Sequence, residues 1–285
     1  MDGHALTPRG GLAPFDLYPY NPSKTLAWVF LVIFAIGGGI HLILMFPLRA
    51  WFFIPFVLGC VGEAFGYYGR SWSHNNIRLG SPYLLQLMLL LGSVPLLAAT
   101  VYMTLGRIVR GLNAEKYTVM RSTWMTKIYV VIDIGSFVCQ MMGSAMQGSG
   151  DPSGVKTGQT IVIAGLGVQL AALGWFIIES VNLHRRLSNQ PTFTSKSHLI
   201  SWSKPLWALH CVAGLVFCRS LYRLIEFLQG SEGSLSKHEA YMYVFDSALL
   251  SIAVFVFAAF HPGRLLRQIR RLGLNSLDDT DVMLD

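Results

Sequence analysis

The chain has 285 residues, of which 53% are hydrophobic and only 13% carry a charge. A soluble domain of this length is about one-quarter charged, and the mean hydropathy of +0.48 points the same way, which excludes that class. The composition instead indicates a polytopic membrane protein. The net charge of +7 is typical of membrane proteins whose cytoplasmic loops collect Lys and Arg, so we expect no nucleic-acid partner.

Apolar stretches of helical length follow one another along most of the chain. Residues 1–24 form a short lead-in, 25–262 an all-α membrane domain, and 263–285 a tail that is first basic and then acidic. About 20 helical residues cross the ~30 Å hydrocarbon core of a bilayer, and seven stretches reach that length, which predicts seven transmembrane helices. They cover residues 25–46, 50–69, 82–105, 126–147, 157–183, 205–229 and 240–261.

The distribution of basic residues predicts the orientation of these helices. Lys and Arg concentrate in the loops after helices three and five and in the tail, where four arginines lie between Arg264 and Arg271. Loops rich in Lys and Arg stay in the cytoplasm. We therefore expect the N-terminus outside and the C-terminus in the cytoplasm. For this multi-pass protein we expect the plasma membrane, with an internal membrane as the alternative.

The second half of helix six contains three ionisable side chains, Arg219, Arg223 and Glu226. Their spacings of four and three residues place them on one face of the helix. An ionised side chain at membrane depth costs about 2.5–3.5 kcal/mol, so these three cannot face lipid. We expect them to point into the protein and to find partners on other helices.

Helices two and seven carry candidate partners in the half of the membrane nearer the outside. These share a spacing of four and seven residues: Glu63, Tyr67 and Arg70 in helix two, and Glu239, Tyr243 and Asp246 in helix seven. We hypothesise that Glu63, Glu226 and Asp246 form a buried network with the two arginines of helix six, around a cavity open toward the outside. The alternative is an ion-pair lattice that only locks the helices together.

Helix four contains a second pair of polar residues, Asp133 and Gln140, which share a face at greater depth. We include them among the candidate residues for substrate binding or coupling. The histidines His41, His210 and His261 lack the short ligand spacings that make a metal site specific, so we expect no metal and no other cofactor.

Most of these residues belong to motifs that resemble one fungal family. In chain order the motifs are Tyr20-Asn21-Pro22-Ser23, Glu63-Ala64-Phe65-Gly66-Tyr67-Tyr68-Gly69-Arg70, Gln140-Met141-Met142-Gly143, Arg219-Ser220-Leu221-Tyr222-Arg223-Leu224-Ile225-Glu226 and His261-Pro262-Gly263. On these motifs the chain resembles the RTA-like fungal lipid-translocating exporters, seven-helix proteins named for resistance to an aminocholesterol. It departs from the expected pattern at Ala27, where we expect Asn, and at Leu249, where we expect Pro.

The resemblance implies a transporter, not an enzyme, that moves amphipathic lipids such as sphingoid long-chain bases, sterol-like molecules or toxic lipophilic compounds across a fungal membrane. Its partners would be membrane lipids and that lipophilic substrate. The sequence contains no nucleotide-binding motif, so active export would draw on a proton or ion gradient or on coupling to another protein. Glu63, Glu226 and Asp246 would be its proton carriers.

Two other functions remain as alternatives at this stage. A seven-helix receptor for lipophilic ligands fits the topology, but helix three has no Asp-Arg-Tyr-like end and helix seven no terminal Asn-Pro motif. An intramembrane zinc hydrolase of lipid amides would need the histidines as ligands. The sequence does not indicate an oligomeric state.

Overall fold

Long helices account for most of the structure, a computed structural model that describes residues 17–118, 120, 122–147, 152–192, 195, 201–230 and 233–282. Residues 122, 123, 152 and 273–282 are described by their backbone alone. The first six helices are α1 (Lys24–Leu48), α2 (Ile54–Ser73), α3 (Gly80–Gly111), α4 (Ser122–Gln147), α5 (Pro152–Asn189) and α6 (Ser203–Gln229). Helix α7 runs through Glu239–Met242, a π-helical segment Tyr243–Ala248 and Leu249–Ala259, and α8 covers Pro262–Val282.

The surface and the interior reverse the pattern of a soluble protein. Ile43 and Val131 expose 70% and 67% of their surface, whereas Glu63 and Arg70 expose 1% each. Apolar side chains outside and polar side chains inside suit a molecule surrounded by lipid. The prediction of an all-α polytopic membrane protein is confirmed.

Six segments of the described chain are long and apolar enough to cross a membrane. They lie in α1 to α5, and the sixth runs through α7 into α8 as far as Leu272. Helix α6 has 27 residues, a comparable length, but is not among them. It is the helix that carries Arg219, Arg223 and Glu226. A crossing by α6, and with it the total of seven spans, stays a prediction.

The helices pack in chain order around a ring, in which α7 closes against α1 and α3 contacts α6 across the middle. Small residues let neighbouring helices approach closely. A Cβ atom at Gly66 of α2 would lie 2.5 Å from Leu90 Cδ2 of α3, and one at Gly143 of α4 would lie 2.5 Å from the carbonyl oxygen of Gly158 on α5. These contacts fix the two helix pairs that hold the polar side chains described below.

Helix α8 crosses the end of the bundle where α1 and α3 finish. The Arg270 guanidinium donates a hydrogen bond to the Leu48 carbonyl oxygen at 2.8 Å, and Ile269 packs against Gly111 at the end of α3. The basic part of the predicted tail is therefore a helix held against this end of the bundle. The opposite end, where α1 begins, is called the N-terminal end below.

Candidate functional site

The segment before α1 covers the N-terminal end of the bundle. The Tyr18 hydroxyl lies 2.8 Å from Gln86 Oε1 on α3 and 3.0 Å from Ser73 Oγ on α2. Burial raises the pKa of the Tyr18 hydroxyl to about 12, because ionisation would place a charge in an apolar setting. Pro22 follows, and its carbonyl oxygen lies 2.8 Å from His74 Nδ1. The segment is thus joined to both α2 and α3.

Arg70 of α2 is the centre of the first group of polar contacts. Its Nη2 donates to Glu239 Oε1 at 2.8 Å and to the Tyr20 hydroxyl at 3.0 Å, and its Nε donates to the Tyr243 hydroxyl at 3.0 Å. Glu239 Oε1 also accepts from the backbone N–H of Ser23 at 2.8 Å. This Arg70 cluster (Tyr20, Ser23, Arg70, Glu239 and Tyr243) fastens the start of α1 to α2 and α7.

Asp246 of α7 is the centre of the second group. Arg219 Nε donates to Asp246 Oδ1 at 2.5 Å, and Arg223 Nη2 donates to Asp246 Oδ2. Arg223 Nη1 also donates to Glu226 Oε2 at 3.0 Å, and the Tyr222 hydroxyl donates to Glu226 Oε1 at 3.4 Å. In this Asp246 cluster (Arg219, Tyr222, Arg223, Glu226 and Asp246) the two guanidinium groups balance the two carboxylates.

Glu63 of α2 lies beside the Asp246 cluster. It adds a third carboxyl group next to two guanidinium groups. It is close enough to Asp246, Arg219 and Arg223 to interact electrostatically. Glu63 Oε1, Arg219 Nη2 and Arg223 Nε are all buried, and none has a hydrogen-bond partner among the described residues. The cluster with Glu63 therefore keeps one oxygen acceptor and two nitrogen donors unused.

The π-helical segment of α7 decides which way its polar side chains face. Glu239, Tyr243 and Asp246 have the four-and-seven spacing of one α-helical face, but they contact two different helices. Glu239 and Tyr243 contact Arg70 on α2, whereas Asp246 contacts the arginines of α6. Tyr243 and Asp246 both lie in the π-helical segment, whose wider turn rotates Asp246 away from the face of Tyr243.

Tyr67 connects the two clusters. Its ring stacks on Phe34 of α1 with centroids 5.8 Å apart, and its hydroxyl is hydrogen-bonded to Ser247 Oγ, next to Asp246. The predicted face of α2 is thus buried at all three positions, with Glu63 toward α6, Tyr67 toward Ser247 and Arg70 toward the N-terminal segment.

Asp133 and Gln140 lie elsewhere, on the side of α4 that faces α3 and α5. Gln140 Nε2 donates to Gln169 Oε1 of α5 at 3.1 Å. Asp133 exposes 1% of its surface, and neither of its carboxylate oxygens has a hydrogen-bond partner among the described residues. The predicted site residues therefore form two separate regions of the bundle.

Several polar residues at these sites were missed in the sequence. Tyr18 was taken only as part of the lead-in and Tyr20 only as part of a family motif, although two tyrosines beside a helix start are candidates to cover it. Glu179 of α5 was overlooked, although an acid inside an apolar stretch is itself a signal. It is buried, and it accepts from the Tyr129 hydroxyl at 3.4 Å. No group of three His, Cys, Asp or Glu side chains in the described part of the chain is placed to hold a metal ion.

Comparison with known proteins identifies relatives of this chain. The family described as RTA1 like protein matches residues 56–269. Protein RTA1 of Saccharomyces cerevisiae is 33% identical over 273 residues, which cover 87% of this chain and 85% of the relative. Protoporphyrin uptake protein 1 of the same yeast is 30% identical over 283 residues, with coverage of 86% and 91%. Sphingoid long-chain base transporter RSB1 of its strain Lalvin EC1118 is 27% identical over 267 residues, with coverage of 82% and 70%. No solved structure matches.

Proposed function

This chain belongs to the RTA1-like family, and on that premise we propose that it moves amphipathic lipids across a fungal membrane, with Glu63 and the Asp246 cluster binding the lipid headgroup. A relative named as a sphingoid long-chain base transporter and one named as a protoporphyrin uptake protein support transport of lipophilic molecules. The chain acts as a transporter and not as an enzyme. Its membrane is the plasma membrane.

The unused polar atoms beside Asp246 carry this proposal. Glu63 Oε1 is a buried acceptor with no partner in the described residues, next to a cluster whose other charges are balanced. An ammonium group is the natural complement of such a carboxylate, since it supplies both charge and N–H donors. The unused donors, Arg219 Nη2 and Arg223 Nε, suit hydroxyl or other oxygen acceptors. A headgroup with an amine and neighbouring oxygens, as in a long-chain base, satisfies all three.

The orientation follows from the charges at the two ends. The end that holds α8 is basic, with Arg264, Arg267, Arg270 and Arg271 on that helix. In our proposal this end is cytoplasmic, all seven long helices α1 to α7 cross the membrane, and the Asp246 cluster lies nearer the outer leaflet. Helix α6 crosses with its ionisable side chains turned inward, where Arg219 is 3% exposed.

Transport of a labelled long-chain base from liposomes that contain the purified protein tests the proposal. We expect export from these liposomes but not from protein-free ones, and a reduction of about tenfold or more with Glu63→Gln, because a charge-assisted hydrogen bond contributes about 1.5–3 kcal/mol. Glu115→Gln, an acid exposed outside the long helices, is the matched control and keeps full transport. Wild-type protein that binds the base without moving it would contradict transport and favour a receptor.

A further inference from the structure

Asp133 is a buried acid that the proposed headgroup site does not use. It lies about 16 Å along α4 from Ser122 and about 21 Å from Gln147, and thus near the middle of a ~30 Å hydrocarbon core. Its neighbours come from α3 and α5, the helices packed on either side of α4. It therefore sits at mid-depth in a different part of the ring from Glu63 and Asp246.

The groups that face Asp133 are neutral. Tyr102 of α3 and Gln169 of α5 are the side chains that interact with its carboxyl group. On α4 itself, Tyr129 lies one helical turn away and packs against Tyr102 with the rings tilted by 31° and their centroids 5.0 Å apart. No Lys, Arg or His of the described residues forms an ion pair with Asp133. A carboxylate without a cation in such a place carries a large desolvation cost, which binding a proton removes.

The same neighbours also make the ionised form attainable. Gln169 Oε1 is occupied by the Gln140 amide, so the donor side of the Gln169 amide is available to Asp133. The Tyr102 hydroxyl is a second donor close to the carboxyl group. Two donors that can close onto a carboxylate lower the cost of losing the proton. A carboxyl group that has neutral neighbours and two hydrogen-bond donors within reach is suited to bind and release a proton repeatedly.

We propose that Asp133 is the proton-binding group of this protein, and that its protonation and deprotonation between α3, α4 and α5 couple a pH gradient to lipid movement. Protonation converts the carboxylate to a neutral carboxylic acid, and release returns the proton to water. The coupling to lipid movement rests on the proposed transport function. The proton-binding site itself is independent of what the protein moves.

The two paired acids of the other region do not fit this role. The carboxylate of Asp246 contacts two guanidinium groups, and that of Glu226 contacts one, so both charges are already paired. Glu63 is assigned to the headgroup in the proposed function, and it neighbours both the Asp246 carboxylate and the two arginines. Glu179 of α5 accepts a hydrogen bond from the hydroxyl of Tyr129, which precedes Asp133 by one turn of α4. It is a polar group between Asp133 and the α8 end of the bundle, along the route that a proton would take.

Labelling with a hydrophobic carbodiimide tests the site directly. These reagents react with protonated carboxyl groups in apolar surroundings, and mass spectrometry of the wild-type protein identifies the labelled residue. We expect the label on Asp133 and not on Asp246, with labelling that declines as pH rises. Labelling of Glu63 in place of Asp133, or an unlabelled Asp133 at every pH, would overturn the proposal. The experiment needs no variant, so it does not depend on whether a substituted protein folds.

Asp133→Asn then tests the coupling. Asn keeps the shape of Asp but cannot exchange a proton, so we expect long-chain base binding at wild-type affinity and loss of the acceleration that a pH gradient gives to transport. Gradient-accelerated transport by Asp133→Asn would contradict coupling through this residue. If Asp133 is labelled but the wild-type protein moves no lipid, the proposed function fails and the proton site stands. If lipid moves without any effect of pH, the coupling fails and the proposed function stands.

Discussion

The two polar regions of this bundle differ in how their charges are balanced. Between α2, α6 and α7, the acids Asp246 and Glu226 meet Arg219 and Arg223 in close ion pairs. Between α3, α4 and α5, the side chains of the described residues that interact with Asp133 are the neutral Tyr102 and Gln169. The first region joins helices through charge pairs, and the second isolates one ionisable group.

The difference has a physical consequence for function. A paired carboxylate stays ionised and holds its helix in place, because separation from its partner would leave a charge in a medium of low dielectric constant. An isolated carboxyl group is neutral when protonated and changes its interactions when it loses the proton. The paired region is therefore suited to hold a charged headgroup at Glu63, whereas the Asp133 region is suited to respond to pH.

The largest effect is expected from breaking the paired region. Asp246→Asn leaves Arg219 and Arg223 without their shared carboxylate, which is expected to cost about 3–5 kcal/mol of stability for a buried pair. Thermal unfolding of the purified protein in detergent measures the loss. Arg271→Gln, on the exposed face of α8, is the control and is expected to leave stability unchanged. Equal stability of Asp246→Asn and wild type would show that the ion pairs do not hold α6 to α7.

A smaller effect is expected from overpacking the helix pair that frames Asp133. Gly143→Ala places a Cβ atom 2.5 Å from the Gly158 carbonyl oxygen, so α4 and α5 must separate, at an expected cost of about 1–3 kcal/mol. Gly135→Ala lies on the same helix with no atom within 4 Å of the new Cβ, and it controls for the change of residue type. Thermal unfolding of both variants checks the prediction. An equal loss of stability in Gly143→Ala and Gly135→Ala would contradict the prediction.

A single hydroxyl at the N-terminal end is expected to matter less. Tyr20→Phe removes one of the acceptors of Arg70 Nη2 but leaves Glu239 in place, so we expect a loss of about 0.5–1.5 kcal/mol. Hydrogen exchange at the start of α1 should accelerate accordingly. Tyr68→Phe, at a tyrosine 45% exposed on the surface of α2, should leave exchange unchanged. An equal response to both substitutions would contradict the role of Tyr20.

The effect that is smallest at neutral pH concerns ionisation at the same end. Burial raises the pKa of Tyr18 from 10.0 to about 12, so the folded protein holds this proton more tightly than the unfolded chain. The stability contribution of the neutral hydroxyl is complete below pH 10 and is lost as the pH rises through 12. The difference in alkaline ultraviolet titration between wild type and Tyr18→Phe measures this ionisation. A difference centred near pH 10 would show that the Tyr18 hydroxyl is not buried.

Much of the helix pattern was predictable because a bilayer allows few solutions. Apolar stretches of about 20 residues must be helices, since the backbone has no other partners in lipid. The same physics indicated that Arg219 and Arg223 would point inward, and both contact Asp246. Helix ends were less accurate: α5 extends to Asn189, six residues past the predicted end at 183, because polar residues continue the helix beyond the apolar stretch.

The pairing of the charges was not predictable from spacing. Helical periodicity assigns a face, but the π-helical segment Tyr243–Ala248 changes that face within α7, and no feature of its sequence announced it. Spacing also does not show which carboxyl group is left without a cation. That Asp246 is paired and Asp133 is not depends on the order of the helices in the ring, which only the fold reveals.

Binding of a long-chain base to the purified protein tests the division between the two regions most directly. Wild type, Glu63→Gln and Asp133→Asn would be titrated with the same base under the same conditions. We predict that Glu63→Gln weakens binding by about tenfold or more, since it removes the carboxylate that meets the amine, while Asp133→Asn binds as wild type does. Equal affinity of Glu63→Gln and wild type, or weaker binding by Asp133→Asn alone, would contradict the account.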